Sequence, residues 1–488
     1  MKNNGKCKQQ EKGDVMDKLD KYEFSTYSGG EYIYFPDSNI VLGKKWIEED
    51  EKRYKDIINL SGFQKEEDYN TKFNYSGEDI KINLFKAGFV QLAIEVTSQC
   101  NFRCKYCVFS GRYSGQRIHK TDNMSLETAK KSIDLYLRYI EEAKDYNPNR
   151  RPVISFYGGE PLLNFDLIKQ CVEYAKSLYD EQIYFSVTTN GSLLTDDIID
   201  FLVIEKFSTI VSLDGYKENH DRNRVNASGH GTFDFVMKNI KKLYEKQKTP
   251  VFLSTVFDYK TDFQKMEEFF RENSQVVELT INGVNSFGTD YFNQFTKEDY
   301  ISFNKSLEEL KESFIVDVQE GKNHNLNSFM HRVLGDICTS IFMKQVNLNP
   351  QNDKVIKYTG SCIPGTKLFV DYQGEIYICE KVSREVSIGN VYNGLDFNKC
   401  ADIVNQYNEV VSKKCNKCLL RNTCKRCFTS ITMKKGVDIH PDICKEKIYD
   451  FKKDLEFAYS IFELNPTWIG TYFNEYYDKI KEMAVIIK

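Results

Sequence analysis

The sequence contains no run of about 18 apolar residues, the length a helix needs to span a bilayer, so a membrane-spanning helix is excluded from the reading. Its start, MKNNGKCKQQEKGDVMDKLD, is polar and lacks the apolar core of a secretory signal. A cytoplasmic protein with no membrane partner is expected. Excess charge is small as well. The 67 basic and 71 acidic side chains leave a formal net charge of -4, without the basic footprint of a nucleic-acid binder. Lysine tracts such as Lys413-Lys414 and Lys434-Lys435 are short and read as solvated faces. There is no internal repeat at solenoid spacing.

Cysteine is what the chain does have. Fourteen cysteines among 488 residues, in a reducing compartment, are a poor disulfide framework; clustered at short spacing they read as metal ligands. The length suggests about three domains. Residues 1–20 read as a disordered start. Residues 21–88 read as a small α+β module without a catalytic motif. In it Ser28-Gly29-Gly30 marks a hairpin turn before the strand at Glu31-Tyr32-Ile33-Tyr34-Phe35, and Ile40-Val41-Leu42 is a third strand. Trp46 to Leu60 reads as a helix with Trp46, Tyr54, Ile57 and Ile58 on one side.

From 89 to 290 β-branched runs alternate with amphipathic stretches. Six strands are expected, around 92–96, 153–157, 183–187, 209–213, 251–255 and 276–281. The intervening helices include one capped by Ser125 that buries Leu126, Ala129, Ile133, Leu137 and Ile140. A second places Leu167, Cys171, Ala175 and Leu178 on one face, and a third Phe235, Val236, Ile240 and Leu243. Six such units imply a parallel sheet with its chemistry at the C-terminal edge. Residues 291–350 read as a helical linker, 351–445 as a cysteine-rich domain and 446–488 as a helical tail.

Cys100, Cys104 and Cys107 sit in one loop after the first of these strands, with Tyr106 before the last. Three thiolates from one loop can converge on one metal centre; a cubane cluster normally takes four, so one iron is left for a small molecule. A zinc knuckle is the plainer alternative. CxxxCxxC here resembles the signature of the radical S-adenosylmethionine (SAM) superfamily. Gly158-Gly159-Glu160-Pro161, Thr189-Asn190-Gly191 and Ser212-Leu213-Asp214-Gly215 follow in the family's order, each after a strand, and Asn219-His220-Asp221-Arg222 comes next.

The resemblance implies a partial (β/α)6 barrel of α/β class. Cys100, Cys104 and Cys107 would hold a [4Fe–4S] cluster whose open iron binds SAM. Reductive cleavage of SAM would then yield a 5′-deoxyadenosyl radical in a dry pocket. Among the SAM contacts it implies, Gly158, Gly159 and Glu160 would position the methionine end, with Tyr106, Asn190 and Ser212 nearby. Arg224 is a candidate for the carboxylate, with an ordinary surface arginine as its alternative.

Further on, Cys362, Cys379, Cys415, Cys418, Cys424, Cys427 and Cys444 resemble the C-terminal extension called SPASM, which carries two auxiliary [4Fe–4S] clusters in peptide-modifying enzymes. That implies three clusters in all. By position, Cys415, Cys418, Cys424 and Cys444 would hold one, and Cys362, Cys379 and Cys427 the other. The gap before Cys427 is two residues where the family usually has three. No cysteine lies between Lys354 and Cys362, so either Cys338 or Cys400 reaches in or one iron is open. Cys171 reads as core and Cys7 as incidental.

The function implied is a maturase that forms a thioether crosslink in a ribosomally made, Cys-containing precursor peptide, fed by a low-potential donor such as flavodoxin or ferredoxin. The N-terminal module loosely resembles the winged-helix-like domain with which such enzymes grip a leader peptide. Alternatives are a sulfatase-type maturase oxidising Cys or Ser to formylglycine, a carbon–carbon crosslinking cyclase, an iron–sulfur electron carrier and a zinc-binding regulator.

Iron content separates these classes. Anaerobic reconstitution should give about twelve irons per chain, four per cubane. Replacing Cys100, Cys104 and Cys107 together by Ala should lower that by about a third and abolish 5′-deoxyadenosine formation under strong reductant. A colourless zinc protein, or undiminished cleavage in the triple variant, is the contrary result.

Overall fold

The computed structural model describes residues 21–36, 38–50, 52, 74–322, 328–343, 362–415, 417–421, 423–424, 426–433 and 436–475. The dominant element is a ten-stranded sheet. Its centre is the expected parallel set: β4 (Gln91–Thr97), β5 (Val153–Gly158), β6 (Tyr184–Thr189), β7 (Ser208–Ser212), β8 (Val251–Phe257) and β9 (Val276–Gly283), paired in chain order. Strand alternation divides its two faces. Leu92, Ile94, Val96, Ile154, Phe156, Phe185, Val187 and Val211 join the main core with the helices. Ala93, Glu95, Ser155, Tyr157 and Ser186 lie on the opposite, inner face, where Ser155 and Ser186 hydrogen-bond side chain to side chain at 2.5 Å.

The helices form where the apolar period predicts them. Leu126–Glu142 starts at Ser125, whose hydroxyl accepts the Thr128 amide, and buries Ala129, Ile133, Leu137 and Ile140. Two expected core residues are corrected. Leu178 is 49% exposed at the end of Phe165–Leu178, past the last turn that faces the sheet. Phe235 is 54% exposed in the first turn of Phe233–Gln247, on the side away from Val236 and Ile240. The helices Asp196–Ile204 and Phe263–Glu272 complete the units whose crossovers were not assigned from the sequence. Residues 291–350 are helical where described, as Lys297–Gln319 and Phe329–Phe342.

The cysteine-rich region does not stand apart from the barrel sheet. Strand β10 (Lys367–Val370) pairs in parallel with β4, Lys367 opposite Gln91 and Val370 opposite Ile94. Strands β11 (Glu375–Tyr377), β12 (Gly389–Asn390) and β13 (Gly394–Leu395) extend the edge in antiparallel order. The helix Phe397–Lys414 packs on Gly77–Ala87, whose Ser76 cap is a reciprocal capping box with Asp79.

The N-terminal module is a three-stranded antiparallel meander, β1 (Tyr22–Ser25), β2 (Glu31–Phe35) and β3 (Ile40–Gly43), followed by the helix Lys44–Glu49. Most of the helix expected to Leu60, and the start at 1–20, lie outside the described residues. The meander docks on the long helix Pro441–Leu464. Tyr32 and Phe24 pack on Tyr459 with ring centres 4.8 and 5.5 Å apart, and Tyr34 on Phe451 at 5.3 Å. Among the described residues no helix is long and apolar enough to cross a membrane.

One carboxylate fastens this joint. Glu463 accepts hydroxyl bonds from Thr26 at 2.6 Å, Tyr32 at 2.9 Å and Ser28. Burial raises its pKa but the three hydroxyls outweigh it, so the net shift is downward. Its stabilisation is therefore present above the unfolded carboxylate pKa of about 4.3 and is lost as pH falls through the lower folded value. Glu463→Gln should cost about 1 kcal/mol at neutral pH, a small figure because the group is partly solvated. The difference between variant and wild type in denaturant unfolding should vanish in acid. A difference independent of pH would mean that the carboxylate charge does not hold the joint.

Candidate active site

The loop between β4 and the helix Leu126–Glu142 carries Cys100, Cys104 and Cys107, and the turn after β5 and the end of the helix Lys217–Asn223 hold it from two sides. On one, the Gly159 and Glu160 amides donate to the carbonyls of Thr97 (3.0 Å) and Gln99 (2.7 Å). A Cβ on Gly158 would strike the Thr97 carbonyl and one on Gly159 that of Gln99, so the glycine pair is what lets the β5 turn lie against the cysteine loop. On the other, the Arg103 and Lys105 amides donate to Val225 (2.8 Å) and Asn223 (3.0 Å) carbonyls.

Glu160 is wholly buried, and its carboxylate is turned into the protein. It accepts from the Thr189 hydroxyl (2.7 Å) and from the amides of Asn190 (2.7 Å) and Leu162 (3.1 Å). Burial raises its pKa to about 7 against those three bonds. Asn190 donates to Asn101 Oδ1 at 2.8 Å, reaches Cys100 Sγ at 4.0 Å and accepts from Ser192. Gly191 follows at φ +76°, the left-handed geometry the turn requires. Ser212 lies at the end of β7, beside Ser254 of β8.

Arg224 is 7% exposed, which removes the surface alternative. Its Nε donates to Asp214 Oδ2 at 3.1 Å, Nη1 lies 3.9 Å from Cys104 Sγ, and its head is 5.4 Å from the Tyr106 ring. The Tyr106 hydroxyl donates to the same Asp214 oxygen at 2.5 Å, and the Val256 amide to its partner oxygen at 3.1 Å. Asp214 is thus the centre of a buried knot joining the cysteine loop to β7 and β8. In the sequence it is part of a turn motif, and its position after a strand is the one signal of this role.

The three thiols fit a shared metal centre. Backbone amides of Phe102 and Phe109 donate to Cys100 and Cys107 sulfur, each at 3.4 Å. Cys104 feels both other thiols. Burial pushes Cys100 and Cys104 up to about 12, and Cys107 up as well, with Arg224 pulling Cys104 down. Among the described residues no three Cys, His, Asp or Glu side chains crowd closely enough to hold a single metal ion.

In the C-terminal region Cys415 feels Cys418, Cys424 and Cys444. Arg426 lies 3.1 Å from Cys444 Sγ, and the Leu420 amide donates to Cys418 sulfur at 3.4 Å. Cys379 feels Cys427. Cys362 is exposed at the start of its segment. Cys338, Cys400 and Cys171 are buried in helices. The charged group acting on Cys338 is Asp454, and those acting on Cys400 are Asp396 and Lys399. Cys7 and residues 351–361 lie outside the described residues.

Asp214→Ala would strand a buried guanidinium. The expected cost is about 3–5 kcal/mol by denaturant unfolding, against about 1 kcal/mol for Tyr106→Phe, which removes a single hydroxyl. Equal costs would mean that the ion pair is not what the knot depends on.

Residues 94–272 match the Radical SAM superfamily. The radical SAM cyclopropyl synthase TigE of Paramaledivibacter caminithermalis is 25% identical over 388 residues, 75% of this chain and 74% of that one. A cysteine-type anaerobic sulfatase-maturating enzyme of Clostridium novyi is 26% identical over 347 residues, 68% of this chain and 86% of that one. The solved structure of native anSMEcpe with bound AdoMet has the same fold, with a TM-score of 0.56 at 21% identity over 79% of this chain and 99% of that one. A radical SAM domain implies SAM and a [4Fe–4S] cluster, for which Cys100, Cys104 and Cys107 are the thiols at hand. With its parallel sheet, cysteine loop and cysteine-rich C-terminal region, the chain is an enzyme with a radical SAM domain at residues 94–272.

Proposed function

We propose that this enzyme matures a ribosomally made, Cys-containing peptide by joining a cysteine sulfur to a carbon of another residue. The observation behind this is the distribution of thiols. Cys379 lies within electrostatic reach of Cys427, while Cys338 and Cys400 are buried in the helices Phe329–Phe342 and Phe397–Lys414. With Cys362 the first set has three sulfurs and leaves a place for a sulfur from outside the chain. Cys415, Cys418, Cys424 and Cys444 make a second, complete set, and Cys100, Cys104 and Cys107 the third, so three [4Fe–4S] clusters are proposed.

When bound, SAM and the cluster of the cysteine loop supply a 5′-deoxyadenosyl radical that takes hydrogen from the peptide. The chain's own task is to hold thiolate charge, through Arg224, Arg426 and the amides of Phe102, Phe109 and Leu420. Glu160, Asn190, Ser212 and Tyr106 shape the SAM end. The meander β1–β3 offers an edge at β3 to which a leader peptide could add as a strand. A flavodoxin or ferredoxin is the proposed donor.

A second reading is sulfatase-type maturation. The Clostridium novyi relative aligns over 86% of its length, and anSMEcpe has been solved with AdoMet and Kp18Cys peptide, at a TM-score of 0.55. One experiment separates the two. Reconstituted enzyme, SAM and dithionite are incubated with Cys-containing peptides encoded beside the gene or taken from sulfatases. A thioether product loses two hydrogens, keeps its sulfur and resists thiol alkylation. A formylglycine product loses the sulfur and reacts with hydrazine. Formation of the aldehyde alone would overturn the crosslinking reading.

A further inference from the structure

Glu95 is a fully buried carboxylate inside a mostly apolar strand. It lies on the inner face of the sheet, two residues from Ala93, which clusters there with Tyr157, Phe369 and Tyr377. Arg117, ten residues beyond Cys107 in the same loop, pairs with Glu95 Oε1. Arg384 arrives from the other cysteine region, five residues beyond Cys379, and comes only within 3.7 Å of that oxygen.

Arg384 is the anomaly. Its side chain is 10% exposed, and among the described residues its Nε, Nη1 and Nη2 have no hydrogen-bond partner. Glu95 Oε2 lacks one too. Aromatic rings fix the guanidinium: its carbon lies 4.1 Å from the Phe369 ring centre, 4.9 Å from Tyr377 and 5.9 Å from Phe109. Arg117 stacks on Phe109 at 3.7 Å. The backbone is pinned as well. The Arg384 amide and the Ser383 hydroxyl both donate to the Gly115 carbonyl, at 3.2 and 2.9 Å, and Gln116 Nε2 donates to the Lys381 carbonyl at 3.1 Å.

The other carboxylates nearby are committed. Asp371, at the end of β10, accepts the amides of Gln373 and Glu375 at 2.9 and 3.0 Å. Glu380 pairs with Lys367 at 2.6 Å. A buried guanidinium without an acceptor is costly, and its planar fork matches the two oxygens of a carboxylate.

We propose that Arg384, with Glu95 and Arg117 beside it, is the point on the inner face of the barrel where the enzyme holds a carboxylate of its peptide substrate. The carboxylate takes two parallel N–H···O bonds from the guanidinium, and Glu95 Oε2 accepts an N–H of the same peptide. Arg117 bears on Cys107, so the held group sits beside the cysteine loop. The inference rests on the reading of the enzyme as a peptide maturase. An acidic side chain and a C-terminal α-carboxylate share this chemistry, and the test tells them apart.

The test uses reconstituted holoenzyme with SAM, immobilised anaerobically and exposed to two pools of short random peptides that each contain one Cys. One pool is C-terminally amidated and includes Asp and Glu; the other lacks both and is half free acid, half amide. Retained peptides are identified by mass spectrometry. A side-chain source enriches Asp or Glu in the first pool by about tenfold or more, and a C-terminal source enriches free acids in the second. Arg384→Gln abolishes the enrichment, and Arg384→Lys, with charge but no fork, keeps part of it. Should the Gln variant not fold, the best wild-type ligand is compared with its Asn, Gln or amide counterpart, and the same tenfold loss is expected. Peptides retained without preference for a carboxylate, or an Arg384→Gln variant that keeps the preference, overturn the inference and leave the maturase reading standing. Retention of no peptide from either pool overturns both.

Discussion

Burial pushes the thiols of Cys100 and Cys104 up to about 12, yet a metal centre takes cysteine as thiolate, so the surroundings must supply positive charge. The chain does this in a sequence of compensations. Arg224 lies 3.9 Å from Cys104 sulfur, and a buried arginine in turn needs a carboxylate, which is Asp214. Asp214 is itself pushed up by burial and is pulled back by Arg224, the Tyr106 hydroxyl and the Val256 amide. Tyr106 stands one residue before Cys107, so the chain of compensation closes on the loop where it began. The same solution recurs with Arg426, 3.1 Å from Cys444.

The two cysteine regions share one sheet, and this makes their relative placement rigid. β10 lies in parallel register against β4, the strand that delivers Cys100, and β11 leads from β10 to Cys379. The contacts of Gly115 and Gln116 with Lys381, Ser383 and Arg384 add a second seam across the mouth of the barrel. A peptide on the inner face would meet side chains from both regions at once, which neither could present alone.

Much of this was legible in the sequence because its causes are local. Strand alternation around Leu92–Val96, the Ser125 cap and the order of the turn motifs needed no distant partner to be read. What could not be read depends on long-range packing. Phe235 and Leu178 match the helical period but fall at helix ends where no neighbour covers them. Nothing in the short run Lys367–Val370 announces pairing with a strand some 270 residues earlier. For Arg224 the sequence leaves a carboxylate contact and a surface arginine both open, and only the fold, by bringing Asp214 to it, decides that it is buried. Glu95 sat unremarked inside an apolar strand, although a charge in such a run is the kind of local inconsistency that marks functional sites.

A buried ion pair is weak support for stability, since an apolar pair of the same volume often serves as well. Position is the better explanation for Asp214 and Arg224, and the residues around them are arranged to fix it. His220 is fully buried, and burial with Arg224 nearby pulls its pKa well below the usual range, so the ring is neutral. Its Nδ1 accepts the Asp214 amide at 3.3 Å, which leaves the proton on Nε2. Nε2 then donates to the Thr232 hydroxyl at 3.0 Å, and that hydroxyl donates to the Arg224 carbonyl at 2.9 Å. One neutral imidazole thus spans the backbones of both ion-pair partners, with every proton in the relay accounted for. A charged ring could not accept from Asp214 and would add a cation beside Arg224. The motif Asn219-His220-Asp221-Arg222 therefore acts on the cysteine loop without touching it: Asp221 caps the amides of Thr232 and Phe233, and Arg222 and Asn219 tie the turn to Asp258 and Thr261.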